Sequence, residues 1–140
     1  MSKKSRITVV MTIMVIIAMV AGCAVISPKP YDLATVTDLE HLEEQTITLF
    51  QSFTSDTFDT ARAEYIKDGL SDVYSRESNA GDKATAKQIK LVQESFDDYY
   101  ANRIEGGPWS EIKTEKAVEA IAEIFDTAIA TEKTRNTGGK

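Results

Sequence analysis

The chain has 140 residues and a formal net charge of −6 at pH 7, with one cysteine and one histidine. This length suits one domain with a modest core. An acidic chain repels phosphate backbones, so we expect no nucleic-acid partner. A single cysteine excludes an internal disulfide framework and a zinc site built on several thiolates.

The first residues divide into three zones. "MSKKSR" is basic, "ITVVMTIMVIIAMVA" at residues 7–21 is apolar, and "GC" follows. This order is typical of a secretory signal peptide, whose basic zone stays on the cytoplasmic side of the membrane. Without the first 22 residues, 13 basic residues stand against 22 acidic ones, a formal charge of −9.

The end of the apolar zone, "VAGC" at residues 20–23, resembles the lipobox of bacterial lipoproteins. The resemblance implies lipid transfer to the Cys23 sulfur, cleavage between Gly22 and Cys23, and acylation of the new amino terminus. Val20 departs slightly from the pattern, in which leucine is commonest. In Gram-negative lipoproteins an aspartate after the cysteine tends to retain the protein in the inner membrane. Ala24 at that position therefore favours the outer membrane, with the protein facing the periplasm.

Two other interpretations of this segment stay open. Residues 7–26 form about 20 largely apolar residues, enough for an uncleaved signal anchor in the inner membrane. In the second interpretation Cys23 is an ordinary buried thiol, although it lies outside any pattern of core residues in the sequence. If Cys23 is lipidated, two or three acyl chains anchor the protein stably, because each buried CH₂ contributes about 0.8 kcal/mol of membrane binding. Lipoprotein and signal anchor both place the remaining chain outside the cytoplasm.

The segment after Cys23 contains two of the three prolines, Pro28 and Pro30, which favour an extended tether over a helix. Beyond it the pattern is helical to near the end. We therefore expect a signal peptide at 1–22, a lipidated cysteine and tether at 23–32, a helical bundle domain at 33–134 and a disordered tail at 135–140.

The first two helices are predicted at about 33–54 and 57–77, from apolar residues three and four positions apart. "TDLE" at residues 37–40 predicts a capping box near the start of the first helix. Gly69 lies within the second helix, where glycine lowers helix stability by about 1 kcal/mol relative to alanine. Its presence there indicates a point of close packing. "SFTSDTF" between the helices lacks glycine and proline, so the two helices are alternatively one long helix.

The third and fourth helices are predicted at about 83–104 and 110–133, with apolar stripes that include Ile104 and Ile112. "SNAGD" at residues 78–82 predicts a turn before the third helix. "EGGPWS" at residues 105–110 predicts the clearest break, with Ser110 capping the last helix. No run alternates with the period of a strand. The predicted fold is therefore all-α, a small antiparallel bundle of four helices, or of three with a long first one.

Few patterns suggest chemistry. His41 lies near Asp38 and Glu44, which resembles half of a carboxylate–histidine metal site, but the chain has no second histidine to complete one. The acidic groups at residues 94–98 and 64–68 include no calcium-loop motif, and we expect them to be solvated helix faces. Nucleophile motifs and phosphate-binding loops are absent from the sequence. We predict no enzyme, no metal and no cofactor.

The aromatic residues mostly occupy core positions, with three candidates for a binding surface. Tyr99 and Tyr100 are adjacent and cannot both face one core, while Trp109 follows the break at Gly106–Pro108. Tyrosine and tryptophan are enriched in recognition patches. These three residues are the predicted partner-binding positions.

The predicted function is that of a membrane-anchored envelope lipoprotein, without catalytic activity. Its helical domain binds another envelope protein, or a second copy of itself, as a scaffold, accessory or modulatory subunit. One alternative is a periplasmic carrier of a small ligand or metal, with a pocket between helices. The other is an exclusion or inhibitor lipoprotein of phage or plasmid type, which no particular residue favours.

Overall fold

A computed structural model describes residues 32–135, which form four α-helices and no strand. The helices are α1 (Leu33–Gln51), α2 (Thr60–Asn79), α3 (Lys83–Gly106) and α4 (Glu111–Thr134), and a 3₁₀ turn at Ser52–Thr54 follows α1. The prediction of a small all-α bundle is confirmed, with four helices and not three. None of the described helices combines the length and the apolar character that crossing a bilayer requires.

A side-chain oxygen caps the N-terminus of each helix. The capping residues are Asp32, Asp59, Asp82 and Ser110. Each cap accepts hydrogen bonds from amides of the first turn, which stabilises a helix by about 1 kcal/mol. The predicted cap at Ser110 is confirmed, with 3.2 Å between its Oγ and the amide of Lys113. The predicted capping box at residues 37–40 is wrong, because the N-cap of α1 is Asp32, five residues before Thr37.

The break between α1 and α2 depends on a buried arginine. Arg103 of α3 is only 4% exposed, and its Nε donates to the carbonyl oxygen of Phe53 at 3.0 Å. Its Nη2 donates to the carbonyl oxygens of Ser55 and Asp56, at 2.6 and 3.3 Å. These bonds satisfy carbonyl groups that a continuing helix would pair with its own amides. The chain therefore leaves the helix here without glycine or proline.

The other two connections each contain a glycine with positive φ. Gly81 has φ 79° in the α2–α3 turn, and Gly107 has φ 73° at the end of α3. This left-handed region is open to glycine without the steric cost that a Cβ brings. The turns predicted at "SNAGD" and "EGGPWS" are thereby confirmed.

The four helices pack side by side, each against its two antiparallel neighbours, so that α1 contacts α2 and α4, and α3 contacts the same two. Four phenylalanines, Phe50, Phe53, Phe96 and Phe125, are fully buried along with leucine, isoleucine and valine side chains from all four helices. Burial of each such side chain contributes roughly 1.5–3 kcal/mol. The predicted close packing at Gly69 is confirmed, since a Cβ there would lie 2.6 Å from Leu42 Cδ2.

The alternating helix directions define two ends of the bundle. The start of α1, the α2–α3 turn and the end of α4 lie together at what we call the proximal end. There the backbone N–H of Asp32 donates to Glu132 Oε1 at 2.7 Å. The α1–α2 connection and the α3–α4 corner form the distal end, where the N–H of Trp109 donates to the carbonyl oxygen of Phe53 at 2.8 Å.

Candidate functional site

Each helix places one polar residue in the interior of the proximal end. These four residues, which we call the end layer, are Thr35, Glu77, Thr85 and Glu132, each at most 1% exposed. Each lies three or four positions from a buried apolar residue of its own helix, so the same helical periodicity that buries the core also buries them.

Hydroxyl and amide donors pair with the two glutamates of the end layer. Thr35 Oγ1 donates to Glu77 Oε1 at 2.5 Å, and Thr85 Oγ1 donates to Glu132 Oε2 at 2.8 Å. The second oxygen of Glu132 accepts from the backbone N–H of Asp32. Buried carboxylates require such partners, because they have lost their hydration. Each glutamate is thus oriented by residues of a different helix.

Arg135 brings a third carboxylate into the same cluster. Its Nη1 lies 3.0 Å from Glu77 Oε2, 2.8 and 2.7 Å from the two oxygens of Glu132, and 2.7 Å from Asp82 Oδ2. We call these four carboxylate oxygens the oxygen cage. The sequence places Arg135 at the start of a disordered tail, whereas the structure places its side chain, 16% exposed, across the proximal end.

The hydrogen bonds of the cage are unevenly distributed. Arg135 Nη1 donates to Glu77 and Glu132. Asp82 Oδ2 lies within ion-pair distance of the same nitrogen but is buried and accepts no hydrogen bond, because the N–H groups are directed elsewhere. The other oxygen of Asp82 caps α3 by accepting from the amides of Ala84 and Thr85, both at 3.1 Å. One carboxylate oxygen of the cage is therefore left with an ionic contact only.

The cluster carries excess negative charge. Burial by itself would raise the pKa of Asp82, but the hydrogen bonds from Thr85 and the charge of Arg135 outweigh it and lower that pKa below its usual value. Burial likewise opposes the charge of Arg135, whose pKa is nevertheless raised by Glu132, Asp82 and Glu77. Arg76 contributes little compensation, because it lies 3.9 Å from Glu77 and pairs at 2.7 Å with Asp38. Three carboxylates thus share one close guanidinium.

This cluster was not predicted from the sequence, because its three acidic residues do not form one run along the chain. Glu77 and Glu132 are 55 positions apart and each continues an apolar stripe, while Asp82 lies within a predicted turn. A usable signal was nevertheless present. Polar residues occupy stripe positions at the end of α2 and α4 and at the start of α1 and α3, and an antiparallel bundle brings those four ends together.

The predicted binding residues Tyr99, Tyr100 and Trp109 belong to an aromatic cluster at the distal end. The ring of Trp109 lies 4.9 Å from that of Phe53 between centroids, and the residue is only 5% exposed. Its indole therefore belongs to the core, because the α3–α4 corner folds back over the end of α1. Tyr99 and Tyr100 are half-buried and pack against the core.

Two isoleucines that the sequence assigns to core stripes lie on the surface. Ile104 is 55% exposed and Ile112 is 67% exposed, on either side of the α3–α4 corner. Trp109, Arg103 and Thr114 occupy the interior positions near this corner instead. The last turn of α3 and the first turn of α4 thus present an apolar side chain each to solvent.

The remaining sequence candidates are exposed. His41 borders a groove of about 310 Å³ between α1 and α2, with its ring 6.1 Å from that of Tyr65. The acidic residues at 94, 97 and 98, and those at 64 and 68, are exposed, as the sequence predicts. Gly22 and Cys23, the predicted cleavage and lipidation residues, lie outside the described residues. Comparison of the chain with known protein families, curated proteins and solved structures finds no match.

Proposed function

We propose that the protein is a lipid-anchored envelope protein whose helical bundle binds another envelope protein as a scaffold, accessory or modulatory subunit. The anchor in this proposal is Cys23, and the tether meets the bundle at Asp32. An extended tether at about 3 Å per residue holds the bundle roughly 25 Å from the acyl chains. The proximal end then faces the membrane, and the distal end faces away from it.

The observation that carries the partner proposal is the exposed apolar surface at the distal end. Here Tyr99 is half-buried, whereas Ile104 and Ile112 are exposed on either side of the α3–α4 corner, and we call these three residues the distal patch. Tyr99 and Ile112 line a groove of about 350 Å³, which Lys113 and Lys116 border. Exposed apolar surface with a polar rim is typical of protein interaction sites. The partner suited to this surface presents apolar side chains and has carboxylates near the two lysines.

In-cell photo-crosslinking tests this function. A crosslinking residue at Ile112 should capture one partner of defined mass, and Ile104→Asp in the same chain should abolish the product. Leu91, which is 42% exposed on α3 away from the corner, provides the matched control position. Crosslinking there, or Leu91→Asp beside the Ile112 probe, should leave the result unchanged. A product of twice the chain mass would indicate self-association through the patch. No product from Ile112, or one that survives Ile104→Asp, contradicts the proposal.

A further inference from the structure

The oxygen cage at the proximal end has the arrangement of a cation site. Its four oxygens come from three separated parts of the chain: the end of α2, the α2–α3 turn and the end of α4. They surround one point at 2.7–3.0 Å, now held by Arg135 Nη1, and the three carboxylates offer oxygens within 4.8 Å of one another. A guanidinium nitrogen of this kind has only two hydrogens to donate. A spherical ion has no such directional limit and contacts all four oxygens equally.

A second observation is the unsatisfied oxygen of Asp82. Asp82 is only 9% exposed, and its Oδ2 is buried, accepts no hydrogen bond and faces the centre of the cage. Leaving a buried carboxylate oxygen without a hydrogen bond is costly in an otherwise well-paired interior. The backbone amides that Asp82 caps keep the carboxylate in this orientation. This oxygen is therefore positioned for a ligand that the guanidinium replaces only in part.

We propose that the oxygen cage binds a divalent cation, Ca²⁺ in preference to Mg²⁺, at the position held by Arg135 Nη1. An ion of charge +2 offsets the three carboxylates more fully than the single charge of the guanidinium. Ca²⁺ takes carboxylate oxygens at about 2.3–2.6 Å in flexible geometry, so the cage contracts by only a few tenths of an ångström. Mg²⁺ requires near-octahedral ligands at about 2.0–2.1 Å, which these four oxygens do not provide without a larger movement.

Arg135 acts in this proposal as a competitor that belongs to the chain. It follows the last residue of α4 as its C-cap, and rotation of its side chain takes the guanidinium from the cage to solvent. Thr35, Thr85 and the amide of Asp32 hold the glutamates in place during this exchange. The bound ion would connect α2, the α2–α3 turn and α4 beside the start of α1. The cation site does not depend on the function proposed for the distal patch.

Titration of the full-length protein in detergent with CaCl₂ tests the site, by calorimetry and by thermal unfolding. We expect one Ca²⁺ per chain, a dissociation constant in the range of about 10⁻⁵ to 10⁻³ M and a higher Tm. MgCl₂ should bind more weakly. Glu132→Gln, which keeps the side chain's size and removes its charge, should weaken Ca²⁺ binding roughly tenfold or more. The exposed Glu94→Gln is the matched control and should leave it unchanged.

Arg135→Gln separates a cation site from a purely structural ion cluster. Removing the competing guanidinium should tighten Ca²⁺ binding and enlarge the rise in Tm, although the variant without Ca²⁺ is less stable than the parent protein. If the cluster has a purely structural role, Arg135→Gln should be less stable but should bind Ca²⁺ no more tightly and show no larger rise in Tm. Absence of binding up to about 10 mM Ca²⁺, in both the parent and Arg135→Gln, overturns the proposal. Equal weakening by Glu94→Gln and Glu132→Gln overturns it too, because the ions would then be bound by the acidic surface.

Discussion

Arg103 Nε donates a hydrogen bond of 3.0 Å to the carbonyl oxygen of Phe53, and this bond joins the end of α3 to the point where α1 stops. The guanidinium also lies 4.8 Å from the centre of the Phe58 ring, close enough for a cation–π interaction. One side chain thus holds the α1–α2 connection against the rest of the distal end.

Replacing Arg103 should therefore loosen that connection. Arg103→Met keeps much of the packing but leaves the carbonyl groups of Phe53 and Ser55 without their donor, and we expect a loss of about 3 kcal/mol in the free energy of unfolding. Urea denaturation measures it. Arg62→Met, at a more exposed arginine, should change stability by less than about 0.5 kcal/mol. A similar small change for Arg103→Met would show that the break does not depend on this arginine.

Gly69→Ala should destabilise the bundle although alanine is the better helix former. The propensity gain is about 1 kcal/mol. The new Cβ, however, would lie 2.6 Å from Leu42 Cδ2, and Leu42 is 3% exposed in a packed core. Overpacking of this kind costs about 1–3 kcal/mol, so a net loss of roughly 1 kcal/mol is expected from chemical denaturation.

A double-mutant cycle identifies the cause of that loss. With Leu42→Ala already present, the clash is removed and Gly69→Ala should become neutral or stabilising. The control is Gly106→Ala, because a Cβ at Gly106 meets no atom within 4 Å. An equal cost of Gly69→Ala in both backgrounds would argue against the clash.

Glu43→Gln should stabilise the protein at neutral pH. Burial on α1 raises the pKa of Glu43, and the negative charges of Asp126 and Glu40 raise it further. A carboxyl with a raised folded-state pKa destabilises the fold above that pKa, and the penalty disappears as the pH falls below the unfolded value of about 4.3. The advantage of the glutamine variant should therefore be largest near pH 7 and shrink towards pH 4.

Urea denaturation at several pH values measures this difference. Glu44→Gln, at the exposed neighbouring position, provides the comparison and should show a smaller effect near pH 7. If the advantage of Glu43→Gln were constant with pH, it would come from packing and not from charge.

Cys23→Ser tests the anchor. The variant should lose acyl labelling and accumulate as an uncleaved precursor, because the lipobox resemblance makes lipid transfer to the sulfur a condition for cleavage. Metabolic labelling with a fatty acid, together with the mass of the protein in cell extracts, provides the measurement. Ser5→Ala, in the basic zone, is the control and should leave both unchanged. Normal cleavage of Cys23→Ser would exclude the lipoprotein interpretation and favour another type of signal.

The helices themselves were predictable to within a few residues, because local signals determine them. Ser110 and the glycines at 81 and 107 act through their own backbone and its immediate neighbours, so capping and turn chemistry are visible along the chain. The sequence left two alternatives at the α1–α2 break, two separate helices or one long helix. Its cause, Arg103, is about 50 residues away and acts only once α3 lies beside α1.

The sequence by itself determined the all-α class, the helical periodicity and the acidic charge, since these depend on composition and on residues a turn apart. Only the tertiary structure decided which stripe residues are buried. Ile104 lies at the margin of the core face of α3, and Ile112 lies on the face of α4 opposite its buried residues, so both are exposed. Trp109, in contrast, is folded inward by the α3–α4 corner. The tertiary structure also formed the oxygen cage, because Glu77, Asp82 and Glu132 come together only where antiparallel helices bring their ends together.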